Sequence, residues 1–158
     1  MNRLIFYLGS FVSGALIALV LVYGTAPQLM LKETRSPLGF EQTVNTIIEK
    51  VRAEGQVVPK VYDFRKSLIK HVGTDVGEAT VIEICYPEQA AKLLAVPDNK
   101  VVTPFMPCAV GVYTKDDGNT YVSSLNVGMM AKLLGGDIAG PMAEVAAKDD
   151  ELLSFLKD

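Results

Sequence analysis

The hydrophobic pattern divides the chain into one unbroken apolar run and a longer part in which apolar and polar positions are mixed. No charged residue lies between Leu4 and Tyr23. A helix over this run would rise about 30 Å, the hydrocarbon thickness of a bilayer. Since Arg3 is the only charge before the run, the positive-inside rule puts the N-terminus in the cytoplasm and the rest of the chain in the periplasm. The pattern therefore predicts a cytoplasmic tip at 1–3 and a single transmembrane helix at 4–23, in the inner (cytoplasmic) membrane.

A cleaved signal peptide is the alternative interpretation of this run. Gly24 and Ala26 have the small side chains of a cleavage site, but Pro27 would follow the cut directly. The run is also longer than the roughly 7–15 apolar residues of a signal sequence. We therefore expect an uncleaved anchor, a short linker at 24–30, and one outer domain at 31–158.

The first half of the outer domain begins with a strand and a well-defined helix. Leu31–Ser36 alternates apolar and polar residues, which predicts a strand. Ser36-Pro37 then predicts a helix with Ser36 as its cap, and Gly55 ends it. The apolar stripe of that helix has the spacing of one buried face and consists of Phe40, Val44, Ile47, Ile48 and Val51.

Short strands and helices follow in the remainder. The predicted strands are Gln56–Tyr62, interrupted by Pro59, then Ala79–Cys85, Met106–Tyr113 and Thr120–Leu125, the last two joined as a hairpin by K-D-D-G-N. The predicted helices are one capped by Asp63 that runs through His71, one from Pro87 to Pro97, and a helix over Val127–Leu156 broken around Gly135-Gly136 and Gly140-Pro141. This order predicts an α+β domain of two layers, with the helices on one face of a mostly antiparallel sheet.

Charge narrows the classes of partner. The chain has 15 Lys and Arg against 18 Asp and Glu, and Arg3 is the only one of these before Lys32, so the outer domain has a net charge of −4. It contains no basic stripe, which argues against nucleic acid and against electrostatic docking on anionic lipid.

Several motifs of the outer domain resemble the bacterial domain-of-unknown-function family numbered 302. The resemblance covers about Glu33 to Ala147. It is carried by S-P-L-G-F-E-Q-T-V at Ser36, D-F at Asp63, E-I-C-Y-P at Glu83, M-P-C-A-V-G-V-Y at Met106 and N-V-G-M-M-A-K-L-L-G-G at Asn126. It implies a β-α-β4-α domain with the topology of the TATA-binding protein, and soluble members that are dimeric. It implies no activity. Gln56 and Val127 depart from the family pattern, which tends to have an aromatic residue and a proline there.

Cys85 and Cys108 are the only cysteines of the chain, at the end of one predicted strand and near the start of the next. If these strands are antiparallel neighbours, the two side chains lie within bonding range. A structural disulfide is the expected state in an oxidising compartment. The alternatives are two buried unreactive thiols, or a redox, sulfur-transfer or metal-ligating pair.

A wider patch follows from strand alternation, which places Glu83 on the side of Cys85 and Met106 on the side of Cys108. Thiolate and thioether ligands suit copper(I), so copper or haem iron is an alternative cargo, although a place in the hydrophobic core is the favoured interpretation of Met106 and the strand residues around it. His71 is the single histidine, which excludes a site with several histidines, and we expect it at a helix C-terminus. No catalytic triad, nucleophile motif or dedicated metal-binding motif is present in the sequence.

The helix after the last strand is the candidate contact surface, because methionine-rich helices make adaptable binding faces. Its relevant residues are Met129, Met130, Leu133 and Leu134. The alternative is that this helix packs on its own sheet.

These observations favour a membrane-anchored periplasmic binding module, or an accessory subunit of a membrane complex, with no catalysis of its own. We expect its partner to be a second copy or another membrane protein. Two alternatives stay open: a thiol-dependent redox or sulfur-handling protein that uses Cys85 and Cys108, and a carrier of copper or haem.

Overall fold

The computed structural model describes Gly14, Leu16 and residues 29–157. Apart from Gly14 and Leu16, the predicted anchor at 4–23 lies outside this part, as do the tip at 1–3 and most of the linker. Across the residues that are described, no helix has both the length and the apolar character that a bilayer crossing requires.

The sheet has five strands, and every neighbouring pair is antiparallel. The strands are β1 (Leu31–Arg35), β2 (Val61–Asp63), β3 (Ala79–Ile84), β4 (Cys108–Thr114) and β5 (Thr120–Leu125). Their order across the sheet is β1-β5-β4-β3-β2. The first strand therefore pairs with the last, and the predicted hairpin of β4 and β5 is confirmed.

Helices connect these strands and follow them. They are α1 (Phe40–Ala53), α2 (Phe64–Val72), α3 (Pro87–Leu94), α4 (Val127–Leu134) and α5 (Gly136–Leu152), with 3-10 helices at Pro97–Phe105 and Ser154–Lys157. The predicted mixed α+β class is confirmed in this arrangement.

The core lies between the sheet and one layer of helices. Ile82 and Ile84 of β3, Val110 and Val112 of β4, and Val122 of β5 all point into it. Helix α1 crosses β3 and β4, while α5 packs against α3 and α4. Period-two burial along β3 and β4 leaves the opposite face of the sheet only partly covered.

Local signals set most boundaries correctly. Asp63 caps α2, because its side chain accepts a hydrogen bond of 2.8 Å from the backbone N–H of Lys66. Helix α1 ends before Gly55, which adopts a positive φ of 71° that a side chain would disfavour. A Cβ at Gly111 of β4 would lie 2.9 Å from Oγ of Ser123 on β5, so a larger residue there would displace that hydroxyl.

Three details of the prediction are wrong. Ser36 does not cap α1, which begins after Gly39; its hydroxyl instead accepts from the N–H of Leu38 and bonds Thr43. The strand predicted at Gln56–Tyr62 is reduced to Val61–Asp63 and a lone bridge between Val57 and Cys85, because Pro59 cannot donate to a ladder.

The third detail is the break predicted at Gly140-Pro141. Helix α5 continues through Pro141 to Leu152, and the break lies at Gly135-Gly136 alone. Because Pro141 lies near the start of α5, its missing N–H removes one early backbone hydrogen bond and leaves the following turns intact.

Candidate functional site

The strongest candidate is a cavity between the sheet and the helices α3, α4 and α5, which we call the apolar cavity. The volume of this cavity is about 50 Å³, several times the ~10–15 Å³ that one water molecule needs. Most of its wall is apolar and includes Leu93, Val102, Met130 and Met142. Polar side chains enter this wall at Tyr86, Cys108, Ser124 and Asp149.

A hydrogen bond of 2.6 Å from the hydroxyl of Tyr86 to Oδ1 of Asp149 lies in the wall of the apolar cavity. Tyr86 directly precedes α3, and Asp149 is on the inner face of α5. Both residues are buried, with 4% and 8% of their surface exposed. The bond therefore joins two helices at a point where the surrounding wall offers little solvation.

Burial decides the electrostatics of this pair. It raises the pKa of Asp149 to about 6, against the lowering effect of the hydrogen bond from Tyr86, because a charged carboxylate loses its water there. Burial and the nearby carboxylate together raise the pKa of the Tyr86 hydroxyl, which stays protonated and donates. Asp149 therefore changes its charge close to physiological pH.

A second, more polar space adjoins the first, and we call it the polar crevice. Its volume is about 70 Å³, and the residues that line it include Lys32, Asp150 and Lys157. Ser124, Leu125, Val127 and Asp149 line both spaces. Asp149 therefore lies at the boundary between an apolar interior and a charged opening.

Cys108 is a free thiol in the wall of the apolar cavity, and Cys85 is free as well. The predicted disulfide is therefore absent. The cause is the register, because Cys108 pairs with Ile84 and not with Cys85. Cys85 lies one residue beyond this pair and bridges Val57 instead, although both cysteines line the apolar cavity.

The environment of Cys108 is unlike that of a nucleophilic cysteine. Burial, with smaller effects of Asp149 and Cys85, raises its pKa to about 12. The thiol therefore stays protonated at neutral pH, whereas reactive cysteines have lowered pKa values.

The patch predicted around the cysteines is divided by the sheet. Glu83 pairs with Ala109 and lies on the partly covered face, whereas Cys85, Met106 and Cys108 all line the apolar cavity. His71 is exposed near the C-terminal end of α2 and does not line the cavity. Within the described part of the chain, no three His, Cys, Asp or Glu residues are placed to hold a metal ion.

The methionine-rich helix α4 has two different faces. Met130 is 7% exposed and lines the apolar cavity, while Met129 is half-buried. Leu133 is 79% exposed and Leu134 is 42% exposed. The predicted contact surface is therefore restricted to the end of α4, and Met130 belongs to the core.

Sequence analysis did not identify Tyr86 or Asp149 as site residues. Asp149 stands in the run K-D-D-E, which has the composition of a solvated helix face. The available signal was periodicity, since the buried residues of α5 are Met142, Val145, Asp149 and Leu152, at spacings of three, four and three. An acid at an apolar position of such a stripe marks a buried carboxyl.

Comparison with known proteins places this domain in a family. The family model described as "Domain of unknown function DUF302" matches residues 32–156. The chain belongs to the DUF302 family. No curated protein matches the chain in sequence.

A solved structure supports the same fold. The crystal structure of an uncharacterized conserved DUF302 protein from Bacillus stearothermophilus is similar to this chain with a TM-score of 0.63. The match covers 81% of this chain and 95% of the other at 22% identity. Such identity supports the DUF302 fold and carries no activity from one protein to the other.

Proposed function

We propose that this DUF302 protein is a non-catalytic binding module, held at the inner membrane by residues 4–23, whose periplasmic domain takes a small ligand into the apolar cavity. The observation that carries the proposal is the cavity itself. Ligand sites are concave, mostly apolar, and contain a few convergent polar groups. The cavity has this composition, with Asp149, Tyr86 and Ser124 as its oxygen-bearing side chains.

The position of the cavity in the fold supports the proposal. Strand β1 begins at Leu31, directly after the predicted linker, and Leu31 pairs with Leu125 at the end of β5. Leu125 lines both the apolar cavity and the polar crevice. An anchored domain would therefore hold this side of the site close to the membrane.

The thiol-dependent alternative receives less support. A redox or sulfur-transfer role needs an accessible thiolate, and Cys108 is partly buried with a raised pKa. A role as an accessory subunit is compatible with ligand binding, and the exposed end of α4 at Leu133 and Leu134 is the surface that we assign to a protein partner.

Filling the cavity tests the proposal. Ala90 lines it from α3, whereas its neighbour Ala91 is exposed. The full-length protein in mild detergent is screened by ligand-observed NMR against small organic molecules of fewer than about ten heavy atoms. We expect bound molecules to be displaced by Ala90→Leu and retained by the matched control Ala91→Leu. Binding that both variants retain, or no binding at all, would refute the cavity as the site.

The anchor is tested separately. Because Pro27 disfavours cleavage, the protein extracted from membranes should retain Met1 or Asn2 in its intact mass. A mature chain that begins at Pro27 would replace the anchor by a cleaved signal peptide.

A further inference from the structure

Asp149 has a hydrogen-bonding capacity that the described part of the chain does not use. Oδ1 accepts the hydrogen bond of Tyr86, and no described residue donates to Oδ2. The side chain is more than nine-tenths buried and lines both the apolar cavity and the polar crevice. A carboxylate accepts about four hydrogen bonds, and no described side-chain oxygen is fully buried without a partner. The unused capacity of Asp149 therefore faces the accessible space of the cavity and the crevice.

Its charge is only partly compensated by the described residues. Lys32 of β1 lowers the pKa of Asp149. Its ammonium group, however, forms an ion pair of 2.7 Å with Asp150. The other titratable groups that influence the pKa values of Tyr86 and Asp149 are acidic or neutral, and they lie on separate elements. They are Asp150 of α5, Glu54 after α1 and Cys108 of β4. Burial of a charge without a partner is costly.

We propose that the apolar cavity binds a small primary ammonium ion with a short apolar body, and that the ammonium group donates to Oδ2 of Asp149. The inference rests on the proposed function, because it names the ligand class of the same site. The body of the ligand packs against Leu93, Val102 and Met142, which line the same space.

An ammonium group fits the remaining acceptors. It has three donors. One bonds Asp149, and the hydroxyl oxygens of Tyr86 and Ser124 line the same cavity and can accept the others. The proton of the Tyr86 hydroxyl is directed at Asp149, which leaves its lone pairs available. A neutral alcohol would supply one donor and no compensating charge, and a carboxylate ligand would be repelled.

Size limits the apolar body. The cavity volume of about 50 Å³ accommodates a few heavy atoms. A small amine such as n-butylamine is therefore a suitable probe. 1-Butanol is isosteric with n-butylamine and neutral, and butyrate is a four-carbon anion of similar size.

The competing interpretation is that Asp149 serves only to tie α5 to Tyr86. Asparagine preserves that tie, because its amide oxygen accepts the same hydrogen bond. Asp149→Asn therefore removes the charge and keeps the acceptor. Glu151→Gln is the control, since Glu151 is an exposed acid of the same helix that lines neither the apolar cavity nor the polar crevice.

The experiment is isothermal titration calorimetry of the full-length protein in mild detergent at pH 7.5, with n-butylamine, 1-butanol and butyrate. We expect n-butylamine to bind at least tenfold more tightly than 1-butanol, and butyrate not to bind. Asp149→Asn should weaken the binding of n-butylamine about tenfold or more without changing that of 1-butanol. Glu151→Gln should leave the preference for the amine unchanged, and Ala90→Leu should abolish binding of both ligands.

The pH profile separates this role from a structural tie. Binding of n-butylamine to the unsubstituted protein should weaken as the pH falls through about 6, where Asp149 becomes protonated, and Asp149→Asn should lose this dependence. Equal binding of amine and alcohol would overturn the ammonium inference and leave the cavity as a binding site. No binding of any ligand, or binding that Ala90→Leu does not affect, would overturn both proposals.

Discussion

The domain contains two buried polar pairs, and they differ in what they leave unsatisfied. Under α1, the hydroxyls of Ser36 and Thr43 bond each other at 2.7 Å, and Thr43 also donates to the carbonyl of Gly39. Under α5, Tyr86 bonds Asp149 at 2.6 Å. The first pair is neutral and surrounded by packed side chains, whereas the second includes an ionisable group and borders two open spaces.

This difference distinguishes a structural use of buried polarity from a functional one. A satisfied neutral pair fixes the entry of the chain into α1 and needs no further partner. A buried carboxylate lowers stability whenever it is charged, which is one reason why we assign Asp149 to the proposed ligand site.

The largest effect is expected at α4, whose two faces belong to different environments. Met130→Glu places a carboxylate in the wall of the apolar cavity and should lower the free energy of unfolding by about 3–5 kcal/mol. Leu133→Glu, at an exposed position of the same helix, should change it by less than about 0.5 kcal/mol. Denaturant unfolding measures both values, and equal losses would mean that Leu133 is buried against the rest of the domain.

Leu133→Glu also tests whether the exposed end of α4 contacts a protein partner. In mild detergent we expect the unsubstituted protein to migrate as a dimer or in a larger complex, and Leu133→Glu to reduce that assembly without unfolding the domain. Assembly that Leu133→Glu leaves intact would exclude this end of α4 as the contact.

The pH dependence of stability is the next largest effect. The folded pKa of Asp149, about 6, is raised above its ordinary value of 3.8, so the folded state binds the proton more tightly than the unfolded state. The charged carboxylate therefore costs stability above pH 6, and this cost disappears as the pH falls through 6 toward 4. From the size of the shift, it is about 3 kcal/mol at most.

The measurement is the difference in unfolding free energy between the unsubstituted protein and Asp149→Asn. At pH 7.5 the variant should be the more stable of the two, and its advantage should shrink by pH 4.5. Glu151→Gln, at an exposed position of the same helix, serves as the control for the general effect of removing an acid from α5. A constant difference across this range would show that Asp149 keeps its ordinary pKa.

A smaller change in the free energy of unfolding is expected when one member of each polar pair is removed. Tyr86→Phe removes the one donor to Asp149 and should lower the free energy of unfolding by about 1–3 kcal/mol at pH 7.5. Most of this loss should disappear at pH 4.5, where Asp149 is neutral. Ser36→Ala removes one hydroxyl of the neutral pair and should cost about 1 kcal/mol at both pH values. Equal pH dependence of the two variants would contradict the distinction between the pairs.

The sequence predicted the elements of the fold much better than the site. Alternation and periodicity located β1, α1, β3, β5 and the caps at Asp63 and Gly55, because these signals are local. The site depends on the register of β3 against β4 and on the packing of α5 against the sheet, which are long-range. A shift of one residue in that register would have paired Cys85 with Cys108.

The identity of the site residues was obscured for a different reason. An acidic residue in a charged run is usually solvated, and only the spacing of Asp149 with Met142 and Val145 departs from that expectation. Tyr86 gave no signal at all, since its role depends on a hydrogen bond across 63 positions of sequence. Interactions of this kind follow from the folded arrangement of helices.

Asn126 connects the entrance of the domain to the cavity. Its backbone N–H bonds the carbonyl of Met30, its side-chain amide donates to the carbonyl of Leu29, and its Oδ1 caps α4 at Met129. A displacement of Leu29 and Met30 must therefore break two hydrogen bonds or move the first turn of α4. Since Val127 in that turn lines both the cavity and the crevice, a pull on the chain before β1 that left these bonds intact would move a wall of the proposed ligand site.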